Sequence, residues 1–161
     1  NGADKVIINS AVYRDLTLIK SIADTFGSQA IVISIDVRKD PVSERFQLYS
    51  DCGRRLEKVV LEEHIVTCVE QGAGEIFINS IDADGTREGY EINLTRMIAE
   101  AVSIPVIASG GAGKPAHLLE VLTEGKADAA LVASMVHYGD YTVSGLKTWL
   151  SEQGVKVRMR Y

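Results

Sequence analysis

Ile104-Pro105-Val106-Ile107-Ala108-Ser109-Gly110-Gly111-Ala112-Gly113-Lys114 runs from a β-branched apolar segment into a glycine-rich turn and on into a helix-like stretch near Ala116. A strand, a turn and a helix in that order make one β/α unit. Glycines at such a turn accept positive φ and let a ligand oxygen approach backbone N–H groups. The following helix N-terminus adds a favourable dipole. The ligand class this predicts is a phosphorylated small molecule.

The same unit recurs in both directions. Strands are predicted at Lys5 to Asn9, Ala30 to Ile35, Glu75 to Ile81, Ile104 to Ala108 and Ala129 to Ala133, each nearly continuous in Ile, Val or Ala. Runs of that kind mark strands covered on both faces, as in parallel sheets. Between them Leu16, Ile19, Ile22, Ala23 and Phe26 mark a helix ended by Gly27, and Leu61, Ile65, Cys68 and Val69 one ended by Gly72. Further helices are predicted near Leu94 to Ala101, Ala116 to Glu124 and Val143 to Gln153, the last with Trp149 on its core face. Between Val37 and Lys58 the spacing lengthens, and Phe46, Leu48 and Tyr49 predict a short hairpin over the end of the second strand. No linker or low-complexity tract interrupts the pattern, so residues 1–161 read as one α/β domain.

Polar residues collect where the predicted strands end: Asn9 and Ser10, Asp36, Asn79 to Asp84, Ser109 to Gly113, and Ser134. In parallel α/β architectures those ends form the active face. The loop Ser80-Ile81-Asp82-Ala83-Asp84-Gly85-Thr86 adds an Asp-Gly turn with hydroxyl and amide donors, a second wall for the same phosphate.

Composition limits the partners. A formal net charge of −5 over 161 residues disfavours nucleic acid and acidic membranes, and function must sit in a local site. Cys52 and Cys68 lack metal-ligand spacing and read as reduced thiols. His64, His117 and His137 read as structural, so neither metal nor cofactor is expected. With no membrane-length apolar run and no leader pattern, the expected compartment is the cytoplasm. The chain opens on Asn1 rather than Met, already close to an apolar run, so a natural half and a piece of a longer chain are both open.

These residues carry a resemblance. Gly2-Ala3-Asp4-Lys5-Val6 through Asn9, Gly27-Ser28-Gln29-Ala30, Ser34-Ile35-Asp36, Gly72-Ala73-Gly74-Glu75-Ile76, Ser80 to Thr86, Gly89-Tyr90, Ala108 to Lys114 and Ala129 to Ser134 stand in the order of the cyclase subunit of imidazole glycerol phosphate synthase. The chain resembles this HisF-like family from about its fourth strand onward. The resemblance implies half of a (β/α)8 TIM barrel with about five parallel strands.

The resemblance also implies a reaction of histidine biosynthesis. Ammonia from a glutaminase subunit attacks a phosphorylated ribulosyl aminoimidazole carboxamide intermediate, with cleavage and ring closure following. Of the family's two acid/base aspartates one corresponds to Asp36, and the other has no counterpart in this chain. The distal phosphate site corresponds to Asp84, Gly85, Ser109, Gly110, Gly111, Ala133 and Ser134, with backbone N–H groups as main donors. Asn9 and Ser10 correspond to part of the other phosphate site, and Lys5 and Glu75 to two of four charged residues gating ammonia. The pair would equally tie neighbouring strands together.

Asn79 and the run Ser34-Ile35-Asp36-Val37 resemble paralogues that use ammonia to amidate cell-surface sugars, so both substrates remain open. A non-catalytic, phosphate-binding half that self-associates is the third reading. A half barrel leaves an inner sheet face and two edges to cover, so the expected partner is a second copy or an amino-terminal half-barrel.

Overall fold

The structure, a computed structural model, describes residues 2–159. Its organising element is β2 (Ile31–Lys39), where the β-branched run Ile31-Val32-Ile33 meets Ile35 and Val37. Such side chains are stiff at χ1 and pack well on a pleated surface. β1 (Val6–Ile8) pairs with β2 in parallel, from Val6 opposite Ile31 to Ile8 opposite Ile33. On the other side β5 (Glu75–Ser80) runs parallel to β2, from Val32 opposite Glu75 to Val37 opposite Ser80. Then come β6 (Val106–Ser109) and β7 (Ala129–Ala130), both parallel.

Beyond β1, the same edge of β2 takes β3 (Phe46–Ser50) in antiparallel register, and β3 pairs in turn with β4 (Arg55–Leu56). The predicted hairpin therefore forms and extends the sheet.

The helices are α1 (Thr17–Phe26), α2 (Leu61–Glu70), α3 (Ile92–Ala101), α4 (Pro115–Thr123), α5 (Ser134–His137) and α6 (Val143–Glu152). Their apolar residues recur every three or four positions, so each longer helix buries one stripe: Ile19 of α1, Leu61 and Ile65 of α2, Leu94 and Ile98 of α3, Leu118 and Val121 of α4, Leu146 and Leu150 of α6. Pro115 starts α4 where its missing N–H costs nothing, and the Thr142 hydroxyl caps α6 by accepting from the Gly145 amide at 3.1 Å. One core cluster joins β2, β5 and the helices α1 to α3; a second lies under α4, α5 and α6.

The alternation along β5 shows which face the helices cover. Ile76, Ile78 and Ser80 are buried, whereas Glu75, Phe77 and Asn79 are only half-buried. The parallel registers carry the carboxyl ends of β1, β2, β5, β6 and β7 to one edge of the sheet. No helix among the described residues is long and apolar enough to cross a membrane.

Each predicted strand needs correction at an end: β2 runs on past Ile35 to Lys39, where β3 pairs with it, β5 stops at Ser80, and β6 starts at Val106 and ends at Ser109. The strand predicted at Ala129 to Ala133 stops at Ala130; Leu131 still donates to the Ala108 carbonyl at 2.8 Å, but the chain then turns at Ala133 into α5. The small side chains of Ala129, Ala130 and Ala133 give little strand preference to hold it extended. The first strand is likewise trimmed to Val6–Ile8, because Asn9 already accepts from the Val12 amide in a turn.

Candidate functional site

At the carboxyl edge, the loops after β5, β6 and β7 enclose a cavity of about 90 Å³. It is lined by Asp84, Gly85, Ser109, Gly110, Gly111, Ala133 and Ser134, together with Ala112 and Leu131. All seven residues named from the sequence for the distal phosphate site thus come together, from three loops spread over 51 positions (84 to 134).

The backbone geometry explains the glycines. Gly110 and Gly111 have φ of 92° and 99°. A Cβ at Gly110 would lie 2.6 Å from the Ser80 carbonyl oxygen, and one at Gly111 only 1.8 Å from that of Gly89. The two loops are therefore packed backbone to backbone. The Gly89 amide donates to the Gly111 carbonyl at 2.8 Å, and the Tyr90 hydroxyl donates to the Leu131 carbonyl at 2.8 Å. Among the described residues, no protein acceptor takes the amide N–H of Gly85, Gly110 or Gly111. Unpaired amides grouped in such a concavity suit an anion.

Asp36 lies near the carboxyl end of β2, opposite Asn79 of β5 in the register. The Asn79 amide donates to Asp36 Oδ1 at 3.2 Å, which leaves the second carboxylate oxygen free of that contact. Asn9 and Ser10 stand apart from the cavity, at the end of β1. Ser10 Oγ accepts from the Asp51 amide at 2.8 Å, and Asn9 Oδ1 is buried without a hydrogen-bond partner. Lys5 and Glu75 form an ion pair beside the amino ends of β1 and β5, away from the cavity. With Lys5 46% exposed the pair is not buried, and its contribution to stability is small.

The histidines pack against this framework. His117 Nδ1 accepts from the Gly113 amide at 3.3 Å, so α4 braces the glycine-rich turn. His64 is buried, stacks on Tyr13 with ring centroids 4.5 Å apart, and has Nε2 3.6 Å from Cys68 Sγ. Burial pushes the pKa of His64 below the ordinary imidazole value, with Glu57 opposing, and that of His117 likewise, with Lys114 adding to the effect and Glu120 opposing it. The unfolded chain then binds more protons than the folded one at mildly acid pH. Stability is expected to be full above about pH 6.5, the ordinary histidine value, and to be lost as pH falls through the depressed folded values. Urea unfolding at pH 7.5 and 5.5 checks this; equal stability at the two would contradict it.

Two features escaped the sequence reading. Arg87 of the loop after β5 forms an ion pair with Asp140, between α5 and α6, strapping two loops together near the cavity. Arg38 sits on the face of Asp36, a placement that the two-residue strand period alone could have supplied.

Strands in parallel, helices between them and an anion-suited cavity at the strands' carboxyl ends define a protein of the β/α-repeat class. The model of the family described as histidine biosynthesis protein matches residues 1–142, and the chain belongs to that family. It is HisF-like within it. The chain is 48% identical over 161 residues to the imidazole glycerol phosphate synthase subunit HisF of Desulforapulum autotrophicum, and 49% identical over 160 residues to that of Nostoc sp.. Each match covers 98% of this chain but 62% of the relative, so the chain spans under two thirds of the length of these curated relatives.

Proposed function

We propose that the chain is one HisF-like half-barrel domain, the carboxyl-terminal half of an ammonia-dependent imidazole glycerol phosphate synthase cyclase. The observation that carries this reading is the convergence of Asp84, Gly85, Ser109, Gly110, Gly111, Ala133 and Ser134 on one cavity, at the edge where Asp36 also lies. In it, backbone amides and the Ser109 and Ser134 hydroxyls take the distal phosphate of the substrate. Asn9 and Ser10 contribute to the second phosphate site. The unpartnered Asn9 Oδ1 supports that role, as a buried polar atom calls for a partner.

Asp36 exchanges protons with the reacting centre. Ring closure and cleavage need proton transfers of opposite sense, which two carboxyl groups in different protonation states handle better than one. The second group comes from an amino-terminal half-barrel or a second copy of the chain. Ile7 on β1 and Leu131 just after β7, 64% and 41% exposed, support such a cover over the two outer parallel strands. Lys5 and Glu75 form part of the gate through which ammonia from a glutaminase subunit enters.

The resemblance of Asn79 and of Ser34-Ile35-Asp36-Val37 to the sugar-amidating paralogues supports a second reading of the same site, in which Asn79 donates to Asp36. Turnover of the ribulosyl aminoimidazole carboxamide intermediate with ammonium in excess tests the first. Cyclase product supports it. Saturable phosphate binding without product assigns the chain to a non-catalytic phosphate-binding half or to the paralogue.

A further inference from the structure

Arg38 stands two residues beyond Asp36 in β2, so the two side chains leave the same face of the sheet. The antiparallel register sets Tyr49 opposite Asp36, hence on that face too. The Arg38 guanidinium carbon lies 5.1 Å from the centroid of the Tyr49 ring, within cation–π range. A carboxylate holds it as well: Asp82 Oδ1 is 3.3 Å from Arg38 Nε. Asp82 is itself fixed, because its Oδ2 accepts the Lys39 amide at 2.8 Å.

Nε is buried, and its contact with Asp82 is an ion pair not aligned as a hydrogen bond. Among the described residues no acceptor takes a hydrogen bond from either terminal nitrogen. The guanidinium is thus held in place through its plane and Nε while its outer fork is unused. An arginine ordered before binding loses little freedom when it meets an anion. The cavity at Ser109 to Gly111 is lined by one carboxylate, Asp84, and by no cationic side chain. A multiply charged ligand spread over this face needs a positive charge from elsewhere on it.

We propose that Arg38 is a substrate-anchoring residue: pre-set by Tyr49 and Asp82, its guanidinium takes an anionic oxygen of a phosphorylated ligand lying across the carboxyl-terminal face beside Asp36. This rests on the reading of that face as the substrate face. It adds a side chain that the phosphate sites named above do not include. Tyr49 and Asp82 act through Arg38 and need not touch the ligand.

Calorimetric titration with two probes, inorganic phosphate and ribulose 1,5-bisphosphate, tests it. Arg38→Gln is expected to weaken bisphosphate binding about tenfold or more, the scale of a lost charge-assisted hydrogen bond. Arg38→Lys keeps the charge but not the planar fork, and should recover only part of that loss. Tyr49→Leu, which removes the stack together with the long 3.5 Å hydrogen bond that the Tyr49 hydroxyl donates to Gln47, should weaken the bisphosphate about threefold while leaving inorganic phosphate unchanged. Thermal unfolding of each variant separates loss of binding from loss of fold; should Arg38→Gln not fold, Arg38→Lys and Tyr49→Leu carry the test. Equal bisphosphate affinity in wild type and variants overturns the proposal, as does absence of bisphosphate binding to the wild type. If inorganic phosphate alone fails to bind, the cavity reading fails instead, and the bisphosphate comparison still judges Arg38.

Discussion

Gly111→Ala is expected to abolish phosphate binding and to lower the unfolding free energy by about 3 kcal/mol or more, in the range of backbone strain combined with overpacking. The φ of 99° is one that side-chain-bearing residues rarely adopt. The added methyl carbon would sit 1.8 Å from the Gly89 carbonyl oxygen, far inside contact distance. Relief requires moving the loop after β5 away from the loop after β6, which breaks the Gly89 to Gly111 hydrogen bond and opens the cavity. Gly85→Ala is the control. Gly85 also has positive φ, 78°, but a Cβ there meets nothing within 4 Å, so its cost is the conformational one alone, about 1–2 kcal/mol. Urea unfolding of the two variants should separate them clearly; equal losses would show that the loops do not meet as described.

Asp36→Asn is expected to reduce ammonium-dependent turnover by about 10²- to 10⁴-fold, the range for removing a positioned acid or base. The substitution nearly preserves volume, and the new side chain keeps an oxygen that can accept from Asn79 in place of Oδ1. The unfolding midpoint should therefore stay near that of the wild type, which isolates the chemical effect. Asparagine cannot exchange the proton, so excess ammonium should not restore the rate. Turnover within tenfold of wild type would remove Asp36 from the mechanism.

How far the sequence revealed this arrangement depended on the kind of signal. The apolar runs Ile31 to Ile35 and Ile76 to Ile78 mark β2 and β5, but the polar residues Asp36, Arg38 and Lys39 hide the continuation of β2 to Lys39. The hairpin was foreshadowed by Phe46, Leu48 and Tyr49, though not its antiparallel pairing with the end of β2. α5, with four residues, is too short to show a helical period, and alanines obscured where β7 stops. Polar residues at strand ends already gathered the Asp84-Gly85 turn, Ser109 to Gly111 and Ser134, and the family resemblance assigned them, with Ala133, to one phosphate site. Arg38 lies beyond the apolar run that marks β2, and its partners Tyr49 and Asp82 come from another strand and another loop, so no local pattern singles it out. The ion pair of Arg87 with Asp140, 53 positions apart, had no local signature at all.

Backbone amides of the loops after β5, β6 and β7 are expected to hold a phosphate at the carboxyl edge of the sheet. Titration of the ¹⁵N-labelled chain with inorganic phosphate, followed by amide chemical shifts, is the decisive measurement. Saturable shifts centred on Gly85, Ser109, Gly110, Gly111 and Ser134 are the predicted result. Saturation with those five amides unmoved, or no saturable shift anywhere, would contradict it.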